Sequence, residues 1–427
     1  MKVLVLGPGG REHAIIRALL TDPQVQEVHS APGNAGIAQD VPTHAVDAND
    51  PAAATALAQD LGVDLVVVGP EAPLVAGVSD ALREAGFPVF GPNQDAAALE
   101  GSKAFAKEVM AAADVPTAMA FVATTADEAA RALDSFGAPY VVKDDGLAAG
   151  KGVVVTEDRD AALAHAQACF DAGGTVVIEE YLDGPEVSLF VLSDGKNVVP
   201  LAPAQDFKRI FDNDEGSNTG GMGAYSPLPW LPEGFVQEVI DRVAQPTITE
   251  MARRGTEFIG VLYCGLAVTR RGIRVIEFNA RFGDPETQAV LARLQTRLGQ
   301  LLLDAARGEL SPGTELQWDS RTAVDVVMAA ENYPDSPRKG DVISGLDEAN
   351  SVEDVHVIHA GTVERDGAIL TAGGRVLAVV ALGEDLSAAR TNAYEGVQKI
   401  TWDGVQYRSD IALAAAQGRI QIPALGS

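Results

Sequence analysis

Residues 141–155 read VVKDDGLAAGKGVVV. Two valine-rich runs flank a turn containing Gly146, Gly150, Lys151 and Gly152, and Lys143 stands at the end of the first run. The pattern predicts a β-hairpin with a small, glycine-rich tip whose backbone N–H groups can lie along a polyphosphate with no side chain in the way. Lys143, on the strand rather than the tip, would bring a compact positive charge to the same phosphates. A flexible surface hairpin with a solvated lysine has the same pattern. The stretch is not a Walker A loop, because only Leu147–Ala149 separate Gly146 from Gly150 and Gly152 stands where Ser or Thr would bind Mg²⁺.

The 427 residues allow about three domains and large cores. A hydrophobic content of 47% with 22% charged residues is ordinary for a globular protein, and the apolar runs, such as Val63–Val68, are too short to span a bilayer. The chain opens as a strand, MKVLVLG, without a signal-peptide pattern. Cys169 and Cys264 make no disulfide framework, so the expected compartment is a reducing cytoplasm.

A net charge of −28 argues against nucleic acid or an anionic membrane as partner. A small anionic substrate would then need a locally positive pocket. Lysine is scarce, with nine against 23 arginines, and six of the nine fall between Lys103 and Lys208, around the glycine hairpin.

The N-terminal third alternates strands (2–6, 25–30, 63–68, 87–90) with helices (to about Leu20, 51–61, and to about Ala85), which predicts an open parallel α/β sheet over 1–101. Gly7 and Gly9 begin a dinucleotide-type loop, but Glu12 occupies its last glycine position and no acid follows the second strand, so a nicotinamide cofactor is not expected. APGNAG at 31–36 is suited to a plain turn or to backbone capture of a phosphate. Glu71 follows a strand's carboxyl end, where such sheets bind ligands, although acids are also favoured in a helix's first turn.

Ser102 reads as the N-cap of a helix over 103–113, placing Lys103 against the helix dipole unless an anion binds there. A small α+β unit is expected over 118–190, with the run 175–181 (TVVIEEY) as an edge strand open to a purine and Glu186 near ribose hydroxyls. Residues 205–227 lack periodicity and read as a long functional loop around Gly220 and Gly221. One long helix covers 233–254.

Strands over 258–269 and 272–280 follow. Glu277 and Asn279 lie two apart and so share a strand face, with Ile276 and Phe278 on the other. Two oxygen donors on a rigid strand suit Mg²⁺, and a solvated outer face gives the same pattern. Asp284-Pro285 resembles a helix N-cap and first-turn proline. A third unit runs from 321 to 427, with a strand over 322–330 and a helix over 385–399.

GGREHAI, APGNAG, GPEAPLVAG, LEGSKAF, DGLAAGKGV, EEYLDG, NTGGMGAYSP, VIEFNARFGDPETQ and KITWDGVQYRSDI occur along the chain in the order of one family. The sequence resembles the glycinamide ribonucleotide synthetases, the phosphoribosylamine–glycine ligases of the ATP-grasp superfamily, over essentially its whole length. The resemblance implies an N-terminal parallel α/β domain (1–101), a central ATP-grasp fold of two α+β subdomains (102–320) and a C-terminal α+β domain (321–427). It implies ATP and Mg²⁺ or Mn²⁺, with glycine activated as glycyl phosphate and attacked by the amine of 5-phosphoribosylamine, in purine biosynthesis. Lys103 and Lys143 resemble the phosphate lysines and residues 145–152, with Gly146, Gly150, Lys151 and Gly152, the phosphate lid. Glu179, Glu180, Tyr181 and Leu182 resemble the adenine hinge, Glu186 the ribose acid, and Glu277 with Asn279 the metal ligands. Lys143, Arg281 and Asp284 would be catalytic, the latter two orienting glycine and the acyl phosphate. Gly10, Asn34 and Glu71 would take phosphoribosylamine, with Asp212, Asn218, Gly220, Gly221, Met222 and Glu286 completing the substrate set. The family reading also implies a cytoplasmic monomer or weak dimer with small-molecule partners alone.

Two positions depart from the family pattern. Asp144 replaces the alanine of KADGLAAGKG, adding a negative charge expected to weaken ATP binding. Phe207 replaces the histidine of QDHKR, which implies that this histidine is dispensable.

Overall fold

The computed structural model describes residues 1–146 and 152–424, so Gly150 and Lys151 lie outside the described residues. The N-terminal part is a four-stranded parallel sheet of Lys2–Gly7, Glu27–Pro32, Leu65–Val68 and Val89–Phe90, in the spatial order second, first, third, fourth. Its strands read as continuous apolar runs because both faces are covered. Val3, Val5, Leu65 and Val67 enter one core, while Leu4, Leu6, Val66 and Val68 enter another. The helix Gly10–Leu20 is started by Glu12, whose Oε2 accepts from the Gly9 N–H at 2.6 Å. Glu12 is fully buried, and a Cβ on Gly69 would come within 2.0 Å of its carboxylate. The acid that breaks the dinucleotide pattern therefore fills this turn itself.

A second unit is an antiparallel sheet ordered Ala120–Ala123, Val176–Glu179, Tyr140–Asp144, Val153–Thr156. The helices Ala126–Phe136 and Arg159–Asp171 cover one face, giving a small separate core of Ala129, Leu133, Val142, Ala166 and Ile178. Each such aliphatic side chain contributes roughly 1.5–3 kcal/mol relative to exposure. The hairpin forms as the valine runs predict, with Tyr140 opposite Thr156 and Lys143 opposite Val153. The expected edge strand is corrected: Val176–Glu179 is central, hydrogen-bonded on both sides. The apolar run that turns acidic could not reveal this: Val176–Glu179 is buried throughout, as a central strand is.

Beneath it lies an antiparallel sheet of Val198–Pro200, Glu186–Asp194, Ile259–Thr269 and Gly272–Asn279. Its last pair slips register, with Gly265 opposite Glu277 but Leu266 opposite Val275. Ile276 is thus an extra, bulged residue. This corrects the strict alternation expected there, since Ile276 turns to the cleft with Glu277.

The aperiodic stretch 205–227 is not a free loop. Arg209–Phe211 and Glu215–Asn218 pair with one another, and Gln205–Asp206 and Gly223–Ser226 join a five-stranded sheet with Thr322–Ala329, Arg375–Gly383 and Val355–His359. Strands of two to four residues are too short to show a period. The expected single helix over 233–254 is broken into Phe235–Val239, a π-helical turn Ile240–Ala244, and Gln245–Arg253 with Pro246 in its first turn. Proline lacks the N–H that a continuous helix needs there. Among the described residues no helix is long and apolar enough to cross a membrane.

Candidate active site

A cleft of about 890 Å³ runs between the two antiparallel sheets and on to the N- and C-terminal parts. Lys103 enters it from the first turn of the helix Lys103–Ala112, which Ser102 caps by accepting from the Phe105 N–H. The Lys103 ammonium donates to the Gly146 carbonyl at 2.9 Å, tying the helix to the hairpin. Lys143, 4% exposed, donates to the carbonyl of the bulged Ile276 at 3.0 Å and pairs with Glu179 Oε2 at 2.8 Å. Glu179 Oε1 takes Lys107 at 2.9 Å. The Glu179 side chain thus fixes two lysines, leaving the hinge to the coil that follows it. There Glu180 pairs with the Met119 backbone and with Arg271, while the N–H groups of Tyr181 and Leu182 have no partner among the described residues.

Glu277 and Asn279 face the cleft, and neither side chain has a hydrogen-bond partner among the described residues. Burial would raise the Glu277 carboxyl, but Lys208, Lys143 and Lys103 together hold it below its ordinary value. An ionised carboxylate and an amide oxygen left open beside three lysines suit a hard divalent cation. Among the described residues no three His, Cys, Asp or Glu side chains cluster as a complete metal site, so further ligands would be phosphate oxygens and water. Across the cleft Lys208 bridges Glu186 and, at 3.9 Å, Asp206. Burial pushes the Asp206 carboxyl up to about 7, with Lys208 opposing and Glu286, Glu186 and Glu277 adding to the rise.

At the far end Arg281, Asp284 and Glu286 each have protein partners. Arg281 pairs with Glu71 at 3.1 Å and Glu100 at 2.9 Å. Asp284 does not cap the helix that follows it. Its Oδ2 accepts from the Arg11 N–H at 3.0 Å, in the first turn of the N-terminal helix, and its Oδ1 accepts from Gln288 at 2.9 Å. Glu286 Oε1 accepts from Tyr263 at 2.9 Å and Ser188 at 3.1 Å.

Of the remaining positions singled out in the sequence, Gly152, Asn218 and Gly220 also line the cleft, whereas Gly10, Asn34, Asp212, Gly221 and Met222 do not. Gly10 lets the N-terminal helix approach Gln288, whose Nε2 would lie 2.8 Å from a Cβ there. Asn34 uses its amide on the carbonyls of Pro8 and His359 and on the N–H groups of Gly36 and Ile37. Asp212 holds Ser409, Gly221 donates to Thr219, and Met222 is in the core. Asp144 is not among the lining residues and lies near Cys169, whose thiol is pushed up by burial and then by this carboxylate. Phe207 lines the cleft and packs under the Arg408 guanidinium, 5.1 Å from the ring centre.

Sequence reasoning missed Lys107, Asp206, Lys208, Glu100, Arg11 and Arg375. The lysine count pointed towards Lys107 and Lys208. Arg375, after Gly373-Gly374 at the start of a C-terminal strand, carried no local signal.

Three parts of phosphoribosylglycinamide synthetase match the chain, its N domain over residues 1–100, its ATP-grasp (A) domain over 101–287 and its C domain over 323–414. A phosphoribosylamine–glycine ligase of Streptomyces coelicolor is 63% identical over 418 residues, 97% of this chain and 100% of that one. The chain belongs to the phosphoribosylamine–glycine ligase family. The crystal structure of the family's Thermotoga maritima member superposes with a TM-score of 0.82 at 34% identity, over 96% of this chain and 100% of that one. A biotin carboxylase of Campylobacter jejuni shares the fold alone, with a TM-score of 0.72 at 15% identity over 99% and 97% of the two chains. The mixed architecture, a parallel N-terminal sheet followed by antiparallel ones, is thus that of ATP-grasp ligases of this family.

Proposed function

We propose that the chain ligates glycine to 5-phosphoribosylamine, consuming ATP and releasing glycinamide ribonucleotide, ADP and phosphate in de novo purine synthesis. The observation that carries this reading is the open pair Glu277 and Asn279 among Lys103, Lys143 and Lys208, in a chain of this family over its full length. The proposed setting is a cytoplasmic monomer or weak dimer.

A carboxylate is a poor electrophile, and phosphorylation makes it a mixed anhydride with a good leaving group. Lys103 and Lys143 hold the phosphates, beside Gly146 and Gly152 at the ends of the hairpin strands. The free N–H groups of Tyr181 and Leu182 take the adenine edge, and Glu186 the ribose. Glu277 and Asn279 would hold Mg²⁺ or Mn²⁺, which supplies neutralisation of the phosphate charge. Glycine lies with a carboxylate oxygen in line with the γ-phosphorus. That oxygen forms the new P–O bond as the bond to the β-bridging oxygen breaks and ADP leaves. The ribosylamine nitrogen then attacks the acyl carbon, and the C–O bond to phosphate breaks. Closing the cleft keeps water from the anhydride. Glu71, Asn218, Gly220, Arg281, Asp284 and Glu286 form the substrate end. Arg281 and Asp284 act there by holding the shape of the corner in which glycine and the acyl phosphate are oriented.

Glycine labelled with ¹⁸O in its carboxylate tests the path. Released phosphate should carry label and ADP none, and multiple turnovers of ADP should require both glycine and phosphoribosylamine. Unlabelled phosphate from a competent turnover would reject the acyl-phosphate route.

A further inference from the structure

Two arginines that brace this fold use their whole fork. Arg293 donates through Nε, Nη1 and Nη2 to the Arg321 carbonyl, the Ser226 hydroxyl and the Asp319 carbonyl. Arg408 likewise commits all three nitrogens, to Asp410, Asp214 and the Arg209 carbonyl.

Arg375 differs. It begins the strand Arg375–Gly383, and its Nη1 donates to the carbonyls of Gly220 and Asp284, each at 2.6 Å, 3.6 Å from Asp284 Oδ1. Its Nε and Nη2 donate to no group among the described residues, although the side chain lines the cleft and is 23% exposed. A guanidinium pinned by one nitrogen, with the other two unpartnered on a side chain that lines a cleft, is a preset fork for an oxyanion. Arg11 faces the same corner from the N-terminal helix. Its Nε and Nη1 are held by Glu12 and the Phe282 carbonyl, and its Nη2 has no partner among the described residues.

We infer that Arg375, with Arg11 across Asp284, binds the 5-phosphate of phosphoribosylamine, an inference that rests on the ligase reading. The shared chemistry is an oxyanion, and glycine's carboxylate is the other candidate. Glycine must lie at the γ-phosphate, and the lysines there are the charges that act on Glu277. Arg375 is instead held by the Gly220 and Asp284 carbonyls, and none of the three lysines is among the groups that act on it. The sugar amine has to reach the acyl carbon, so the phosphate at the other end of the same molecule is anchored away from the lysines.

The test compares the product glycinamide ribonucleotide with its dephosphorylated riboside, by calorimetry on the whole protein. The wild type should bind the nucleotide more tightly, and Arg375→Ala should cut that advantage roughly 10- to 100-fold. In steady state the KM for phosphoribosylamine should rise on the same scale, while KM for glycine and ATP changes less than about threefold. Arg375→Lys keeps the charge and loses the fork, so it should lose part of the advantage; it decides the matter if the alanine variant does not fold. An unchanged phosphate advantage, or a rise in the glycine KM instead, would overturn the inference. A wild type that makes no product from glycine and phosphoribosylamine would fail the ligase reading itself, a result distinct from either.

Discussion

The strand Gly272–Asn279 and the corner that follows it meet one cleft in opposite ways. On the strand, the Glu277 and Asn279 side chains have no hydrogen-bond partner among the described residues. In the corner, Arg281, Asp284 and Glu286 are hydrogen-bonded into the N-terminal helix, the helix at Glu71, and the adjoining sheet. Both segments belong to one motif, VIEFNARFGDPETQ, and look equally chemical as sequence. Burying a polar group without a partner is costly, so the open pair points to ligands that arrive later, whereas Arg281, Asp284 and Glu286 are already bound into the protein and only the forks of Arg375 and Arg11 beside them stay open.

The comparison breaks most visibly at Lys143, which touches the open side. Lys143→Met should cost roughly 2–4 kcal/mol of transition-state stabilisation, read as kcat/KM, the scale for losing one preorganised donor. It should also leave Glu179 with Lys107 as its one remaining ion pair. Turnover at the wild-type rate would remove Lys143 from the phosphates.

Glu277→Ala comes next. With no hydrogen-bond partner among the described residues to lose, the variant should fold and give up only the attraction of the neighbouring cations, while half-saturation by magnesium rises about tenfold or more, equivalent to about 1.4 kcal/mol. A magnesium titration that does not move would make this strand face a solvated one.

Asp284→Asn probes the saturated side. The amide keeps the shape but loses the charge that faces Arg375 and the first turn of the N-terminal helix. The loss should be about 1–2 kcal/mol of stability, seen in thermal unfolding. A variant of full stability whose glycine KM had risen would mean that Asp284 touches substrate after all.

What could be read from the sequence was local. Ser102 capping the helix that carries Lys103, the valine hairpin at Lys143, and the alternation of the parallel sheet each depend on residues close together in the chain. The hidden part is long-range. Nothing near Glu179 says that Lys107 and Lys143 converge on it, and nothing near Asp284 says that it caps a helix 273 residues earlier. The bulge at Ile276 is set by pairing with a separate strand, so a strict period of two misplaces that side chain. Gly373-Gly374 before Arg375 marks a turn and not its destination.

The smallest effect should come from Asp144, which is not among the residues lining the cleft. Successive residues of a strand point to opposite faces, so Lys143 turns into the cleft and Asp144 away from it. Its Oδ1 lies 3.7 Å from where a Cβ on Gly174 would stand, on the side of Cys169. Solvent and the intervening sheet screen it from a polyphosphate held at Lys143, and screened charges of this kind contribute little. Asp144→Ala should therefore change the dissociation constant for ATP by less than about twofold at physiological salt. Lowering the ionic strength should enlarge the difference slightly, in the direction of tighter binding by the variant, because one repelling charge has been removed. ATP bound more weakly by the variant would place the carboxylate among the nucleotide's contacts. The sharp line between an open strand face and its saturated surroundings would then have to be redrawn on the hairpin as well.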